Sequence, residues 1–113
     1  MTSEVTVNMR TCSKVHHVKV SMRDDGNMDV EITSDCAHVQ DYAKRLTEIT
    51  MEDATDFCTS KINAPEIRQA LSATCLCPVA VMNAAWMECG MLSKNMCRKA
   101  GSNDIVLDPD KQG

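Results

Sequence analysis

The stretch His16-His17-Val18-Lys19-Val20-Ser21-Met22-Arg23-Asp24-Asp25-Gly26-Asn27-Met28-Asp29-Val30-Glu31-Ile32 decides the fold. Its side chains alternate. His16, Val18, Val20 and Met22 fall on one face of the first half, and Met28, Val30 and Ile32 on one face of the second. Period-two alternation is the mark of strands that bury a single face. Asp24-Asp25-Gly26-Asn27 between them reads as a hairpin turn, with Gly26 available for positive φ. Upstream, Val5, Val7 and Met9 alternate with Glu4, Thr6, Asn8 and Arg10, which adds a preceding strand joined through Thr11-Cys12-Ser13. Three such strands with short connections predict an antiparallel meander, wet on its other side.

A meander carries a consequence for the cysteines. Its first turn and the end of its third strand lie at the same edge of the sheet, opposite the Gly26 hairpin. Cys12 sits in that first turn and Cys36 follows the third strand, so two thiols far apart in sequence become neighbours in space.

Beyond Cys36 the period becomes helical. Cys36, Val39, Tyr42, Ala43 and Leu46 form one apolar stripe, with Ser34 or Asp35 placed to cap it. Thr50-Met51-Glu52-Asp53 resembles a capping box, with Asp in place of the usual Glu or Gln. Ala64-Pro65-Glu66-Ile67 opens another short helix, Pro65 suiting the first turn. A long last helix is expected from Pro78 to about Ala100, with Val79, Met82, Trp86, Cys89, Ser93 and Met96 as its core stripe and Gly101 as its stop. The expected fold class is α+β: a three-stranded antiparallel meander, then helices, the long C-terminal one packed on one face of the sheet. The expected organisation is a single domain over 1–113. The meander occupies 1–34, the helical part 35–100, and a short extension 101–113 holds a possible strand at 103–107 before a loose end.

Composition narrows the function. A chain of 113 residues and 12.5 kDa holds one core. Seven Cys and nine Met stand against one Phe, one Trp and one Tyr. A net charge of −4 leaves no excess of Lys and Arg to neutralise phosphates, which argues against nucleic acid as a partner. The uncharged run Gln69–Met87 approaches bilayer length, but Ser72, Thr74, Pro78 and Asn83 interrupt it, so it reads as core and not as a membrane span. Met1-Thr2-Ser3-Glu4-Val5 lacks a basic region followed by an apolar run and does not read as a signal peptide. An odd thiol count fits poorly with a closed disulfide framework. A reducing cytoplasm is therefore expected, where clustered Cys serve metal or thiol chemistry.

The seven thiols sort by position. Cys89 falls on the expected core stripe and reads as a small buried hydrophobe. Along an unbroken helix Cys97 would lie roughly 30 Å from Cys77, too far to share a site. Cys58 follows Phe57 in a connecting segment and reads as packing or an exposed thiol. Cys12, Cys36, Cys75 and Cys77 remain. Cys75-Leu76-Cys77-Pro78 can turn both thiols to one metal, with Cys77 at the cap of the last helix and Cys36 near the start of the first. Helix starts favour thiolate, the form a soft metal requires. His16 and His17 point to opposite faces and read as structural or solvated, as does His38 near Cys36. Asp24, Asp25 and Asp29 read as turn chemistry, and Met82, Met87, Met91 and Met96 as packing.

The order strand, Cys turn, strand, Asp-Gly hairpin, strand, Cys, helix, then a Cys opening a long helix, resembles the U-type iron–sulfur cluster scaffold family, also found as the N-terminal domain of NifU-like proteins. The resemblance runs from Cys12 to Ala100 and implies Cys12, Cys36 and Cys77 as cluster-binding cysteines. It also implies a cysteine desulfurase or a recipient apo-protein as partner. Four features depart from that pattern. Lys14 stands where scaffolds carry Asp, Leu76 where they often carry His, and Ser72-Ala73-Thr74 where they carry a chaperone-recognition motif, while Cys75 is extra. Four Cys would hold a cluster or Zn²⁺ more firmly than three Cys and an Asp. Ser34-Asp35-Cys36-Ala37-His38-Val39-Gln40 and Ala73-Thr74-Cys75-Leu76-Cys77-Pro78-Val79-Ala80 also look like a small uncharacterised cysteine-rich family of methanogenic archaea.

The leading expectation is an iron–sulfur cluster held by Cys12, Cys36, Cys75 and Cys77. A structural zinc module on the same thiolates is the alternative, and a sulfur-accepting thiol protein using Cys36 or Cys77 is a third. No Ser–His–Asp set, phosphate-binding Gly loop or paired catalytic carboxylates stands out, so a conventional hydrolase or transferase is disfavoured. No residue pattern fixes an oligomeric state.

Overall fold

Three β-strands carry out the expected alternation in a computed structural model that describes residues 2–111. They are β1 (Thr2–Met9), β2 (Lys14–Met22) and β3 (Met28–Ser34). Each pairs antiparallel with the next, Val7 facing His16 and His16 facing Ser34 across the sheet. Val7, Val18, Val20, Met28, Val30 and Ile32 all lie on the buried face. Gly26 takes φ +88 in the hairpin, as the turn requires. Arg23 spans that hairpin and pairs with Asp25, Asp29 and Glu48, so the acidic residues there are occupied by a local cation.

The helical part begins with α1 (Ala37–Arg45), whose Val39 and Tyr42 enter the core. Its N-cap is Cys36, not Ser34 or Asp35, and no side chain caps it; Ser34 Oγ, two residues before the N-cap, instead accepts from the Cys36 N–H at 2.9 Å. A fourth strand that alternation could not reveal, β4 (Glu48–Ile49), pairs with β3 to give the order β1-β2-β3-β4. Two residues are too few to show a period. The capping box opens α2 (Met51–Thr55) as expected, Thr50 Oγ1 accepting from the Asp53 N–H and Asp53 from the Thr50 N–H. A single 3₁₀ turn at Lys61–Asn63 leads to α3 (Pro65–Arg68), which starts on Pro65.

The last helix is two helices. The first, α4 (Cys77–Glu88), packs on β1 and β2; the second, α5 (Lys94–Ala100), follows a break at Gly90, where φ is +83. Left-handed backbone cannot continue a right-handed helix. Ser93 Oγ then caps α5 by accepting from the Met96 N–H at 3.3 Å. Gly101 ends α5 with positive φ, as expected.

The expected stripe of this segment is also corrected. Val79, Trp86 and Met96 are exposed, and Cys89 is half-buried at the end of α4, with its thiol against the Trp86 carbonyl. The buried residues are Cys77, Pro78, Ala80, Val81, Ala84, Ala85 and Glu88. Helix α4 is apolar nearly all round, so spacing alone does not select a face. The alanines win because small side chains let the helix axis approach the sheet closely, and Glu88 finds partners there. Residues 103–107 form no strand; Ile105, Val106 and Leu107 are exposed without a pairing partner. Of the expected loose end, Gln112 and Gly113 lie outside the described residues. No helix among the described residues is long and apolar enough to cross a membrane.

Candidate metal centre

Register places the first two thiols at the same end of the sheet. Val7, His16 and Ser34 form one line across the sheet. Cys36 lies two residues beyond that line, and the turn carrying Cys12 lies beyond it on the same side, since Met9 and Lys14 are the last paired residues. Cys12 is exposed there, its thiol 3.7 Å from the Met9 carbonyl, next to Ser13 at φ 57. His16, on the line itself, is buried and shares a 2.7 Å hydrogen bond with Ser34 Oγ, a structural role as expected. His17, on the opposite face, is exposed and reaches Thr6, and His38 is exposed.

Helix α4 brings the third segment to the same end. At its C-terminal end, Glu88 accepts from Ser3 Oγ at 2.9 Å and from the Met22 N–H at 2.8 Å. Ser3 and Met22 belong to the hairpin end of the sheet. A helix of twelve residues rises about 18 Å, so α4 runs back along the sheet and delivers its first residue, Cys77, toward the Cys12 and Cys36 end. Leu76 is the N-cap and Cys77 the first helical residue, one position later than expected for a capping Cys. Cys75 precedes it in a turn closed by the Cys75 N–H to the Ser72 carbonyl at 3.1 Å.

Electrostatics link the four thiols. Cys77 is fully buried, and burial pushes its thiol up to about 12, the nearby charges of Cys75 and Cys36 adding in the same direction. Burial also raises Cys75. The Cys77 backbone N–H and the charge of Arg68 oppose that rise, whereas Cys36 and Cys12 reinforce it. Charges screened over about 10 Å interact in this way only when they share a neighbourhood. Burial thus works against the thiolate preference expected of a helix start at Cys77. For the free thiol, desolvation outweighs the helix dipole.

Two neighbours were not singled out in the sequence. Tyr42 is fully buried and donates its hydroxyl to the Ile62 carbonyl at 2.7 Å. Its ionisation is opposed first by burial and then by the Cys77 thiol. Arg68 reaches both Tyr42 and Cys75 with its charge. Only the helical stripe through Tyr42 signalled burial, and nothing local marked Arg68.

The donor set is uniformly soft, four thiols from the β1–β2 turn, the α1 cap and the Cys75–Cys77 segment, which suits zinc or an iron–sulfur cluster and not a hard cation. Among the described residues, no group of three or more His, Cys, Asp and Glu side chains stands as it is in an arrangement that could hold a metal ion. The remaining thiols lie elsewhere: Cys58 is exposed beside Asp56, which accepts from its N–H, and Cys97 is half-buried on α5.

Together these features define a small α+β protein with Cys12, Cys36, Cys75 and Cys77 carried toward one end of an antiparallel sheet. The chain belongs to the family described as "Family of unknown function (DUF6951)", which matches residues 3–100 and so takes in all four thiols. No curated protein and no solved structure matches it.

Proposed function

We propose that Cys12, Cys36, Cys75 and Cys77 form a thiolate metal centre that binds an iron–sulfur cluster. The observation that carries this reading is the convergence of three segments on one end of the sheet, the β1–β2 turn with Cys12, the α1 cap with Cys36 and the start of α4 with Cys77. Burial and the surrounding thiols oppose ionisation of Cys75 and Cys77. A group of cysteines that repel one another's charge is poorly suited to exist as free thiolates. A bound cation removes both penalties, because coordination deprotonates a thiol outright. The order of elements, with a Cys after the first strand, after the third strand and at the start of α4, supports a cluster as the cargo through its likeness to the U-type scaffolds. Lys14 in place of Asp and the additional Cys75 favour keeping the cluster over handing it on. A cysteine desulfurase or a recipient apo-protein is the partner class this reading implies, and the cytoplasm its compartment.

The test is anaerobic purification followed by iron, sulfide and zinc analysis, before and after reconstitution with ferrous iron and sulfide. A coloured protein with iron and sulfide in equal amounts supports the cluster. A colourless protein with one zinc per chain supports the zinc alternative and removes the cluster reading. Sulfur acceptance at Cys77 is disfavoured, because a buried, protonated thiol is a poor nucleophile. A sulfur adduct found at Cys36 by mass spectrometry, with no metal bound, would replace both metal readings.

A further inference from the structure

Beside the thiols stands a cation with no acid attached. Arg68 is the last residue of α3 and is half-buried. Its Nη2 donates to the Ser72 carbonyl at 3.1 Å, and the same oxygen accepts from the Cys75 N–H at 3.1 Å. One carbonyl thus ties the guanidinium to the turn that presents Cys75. The Arg68 carbonyl in turn accepts from the Leu71 N–H at 2.9 Å, so the segment from α3 to Cys75 is built as successive closed turns around this residue. The contrast with Arg23 is informative, since that guanidinium is shared among Asp25, Asp29 and Glu48. No carboxylate pairs with Arg68 among the described residues.

Charge balance says what such a cation is for. Four thiolates around a zinc ion or a two-iron cluster leave the centre negative overall, and Cys77 is fully buried. Uncompensated charge in a poorly hydrated place is expensive. Groups one shell out from a metal both orient its ligands and tune its affinity. We propose that Arg68 is a positioning and charge-compensating residue of the thiol centre, fixing the Ser72–Cys75 turn through the Ser72 carbonyl and offsetting the negative charge of the ligated sulfurs. This rests on the metal-centre reading above.

The experiment measures cluster loss in protein reconstituted anaerobically with ferrous iron and sulfide. Decay of the visible sulfur-to-iron absorption in excess EDTA is followed for wild type, Arg68→Gln and Arg68→Lys, at low and high salt. Far-UV circular dichroism and thermal melting of the metal-free proteins run alongside. Arg68→Gln is expected to lose its cluster about ten-fold faster than wild type, the scale typical of a lost partner one shell out. Arg68→Lys recovers part of the difference by restoring charge without the planar fork. The gap between Arg68→Gln and wild type narrows at high salt, as screening requires. A wild type that forms a cluster and an Arg68→Gln protein that keeps it equally well overturn this inference and leave the site reading standing. Equal losses in both variants, matched by equal drops in metal-free melting temperature, also overturn it by reducing Arg68 to a structural role. A wild type that forms no cluster overturns both.

Discussion

Replacing Glu88 by Ala should be the most damaging change to the seating of α4. Glu88 is 5% exposed and binds two strands at once, Ser3 of β1 and Met22 of β2. Its position is otherwise unfavourable, because a negative charge near a helix C-terminus opposes the dipole. Only the two hydrogen bonds justify it. Each bond to a charged acceptor contributes about 1.5–3 kcal/mol, and regained hydration of the carboxylate in the unfolded state offsets part of the sum, leaving a net loss of about 3 kcal/mol. Against a total stability of roughly 5–15 kcal/mol this is a large fraction. At about 4 °C per kcal/mol for a domain of this size, the melting temperature should fall by roughly 12 °C. Glu88→Gln separates hydrogen bonding from charge. Its carbonyl can accept from Met22 while its amide donates to Ser3 Oγ, so the loss should stay under about 1 kcal/mol. Urea and thermal unfolding followed by far-UV circular dichroism read both values. An Ala variant within about 0.5 kcal/mol of wild type, or a Gln variant as damaged as Ala, would refute the reasoning.

Other expectations follow from single contacts. Burial lowers the pKa of His16 below the ordinary 6.5, with Asp35 opposing, so the unfolded chain binds the extra proton first. Stability should be full above about pH 6.5 and decline as pH falls through the folded-state value, a slope that a His16→Gln variant should lack in pH-dependent urea titrations. Thr50→Ala removes the capping box of α2 and should cost about 1 kcal/mol in the same unfolding assay; no measurable loss would mean the box is not stabilising. Gly90→Ala should cost about 1–2 kcal/mol from left-handed backbone alone, since nothing lies within 4 Å of the added Cβ. A neutral or stabilising outcome would indicate that α4 continues through residue 90.

Local chemistry made the sheet legible. Alternation at Val18, Val20, Met28, Val30 and Ile32 depends only on which side of a strand is wet. The Gly26 turn, the Thr50–Asp53 box, Pro65 and Gly101 each act within a few residues. What was not legible depends on packing between distant segments. Val79-Met82-Trp86 and Ala80-Ala84-Glu88 have equal claims as helix faces until a sheet with Ser3 and Met22 is present to choose. Ile105, Val106 and Leu107 have the composition of a strand but pair with neither edge of the sheet. The placing of Cys12 and Cys36 at one end of the sheet followed from topology, because a meander must return Cys36 to the end that holds Cys12. The environment of those thiols did not. Burial of Cys77 and the approach of Arg68 arise from how α3 and α4 are seated, and helix-dipole reasoning applied to Cys77 alone leaves out the desolvation that opposes its ionisation.

The most direct measurement is metal content across seven single cysteine substitutions, each variant reconstituted anaerobically and checked for folding by far-UV circular dichroism. Cys12→Ala, Cys36→Ala, Cys75→Ala and Cys77→Ala should each lose most of the bound iron and sulfide, while Cys58→Ala, Cys89→Ala and Cys97→Ala retain the wild-type amount. Folded proteins showing equal retention in all seven, or losses centred on Cys58, Cys89 or Cys97, would contradict a shared centre at the Cys12 end of the sheet.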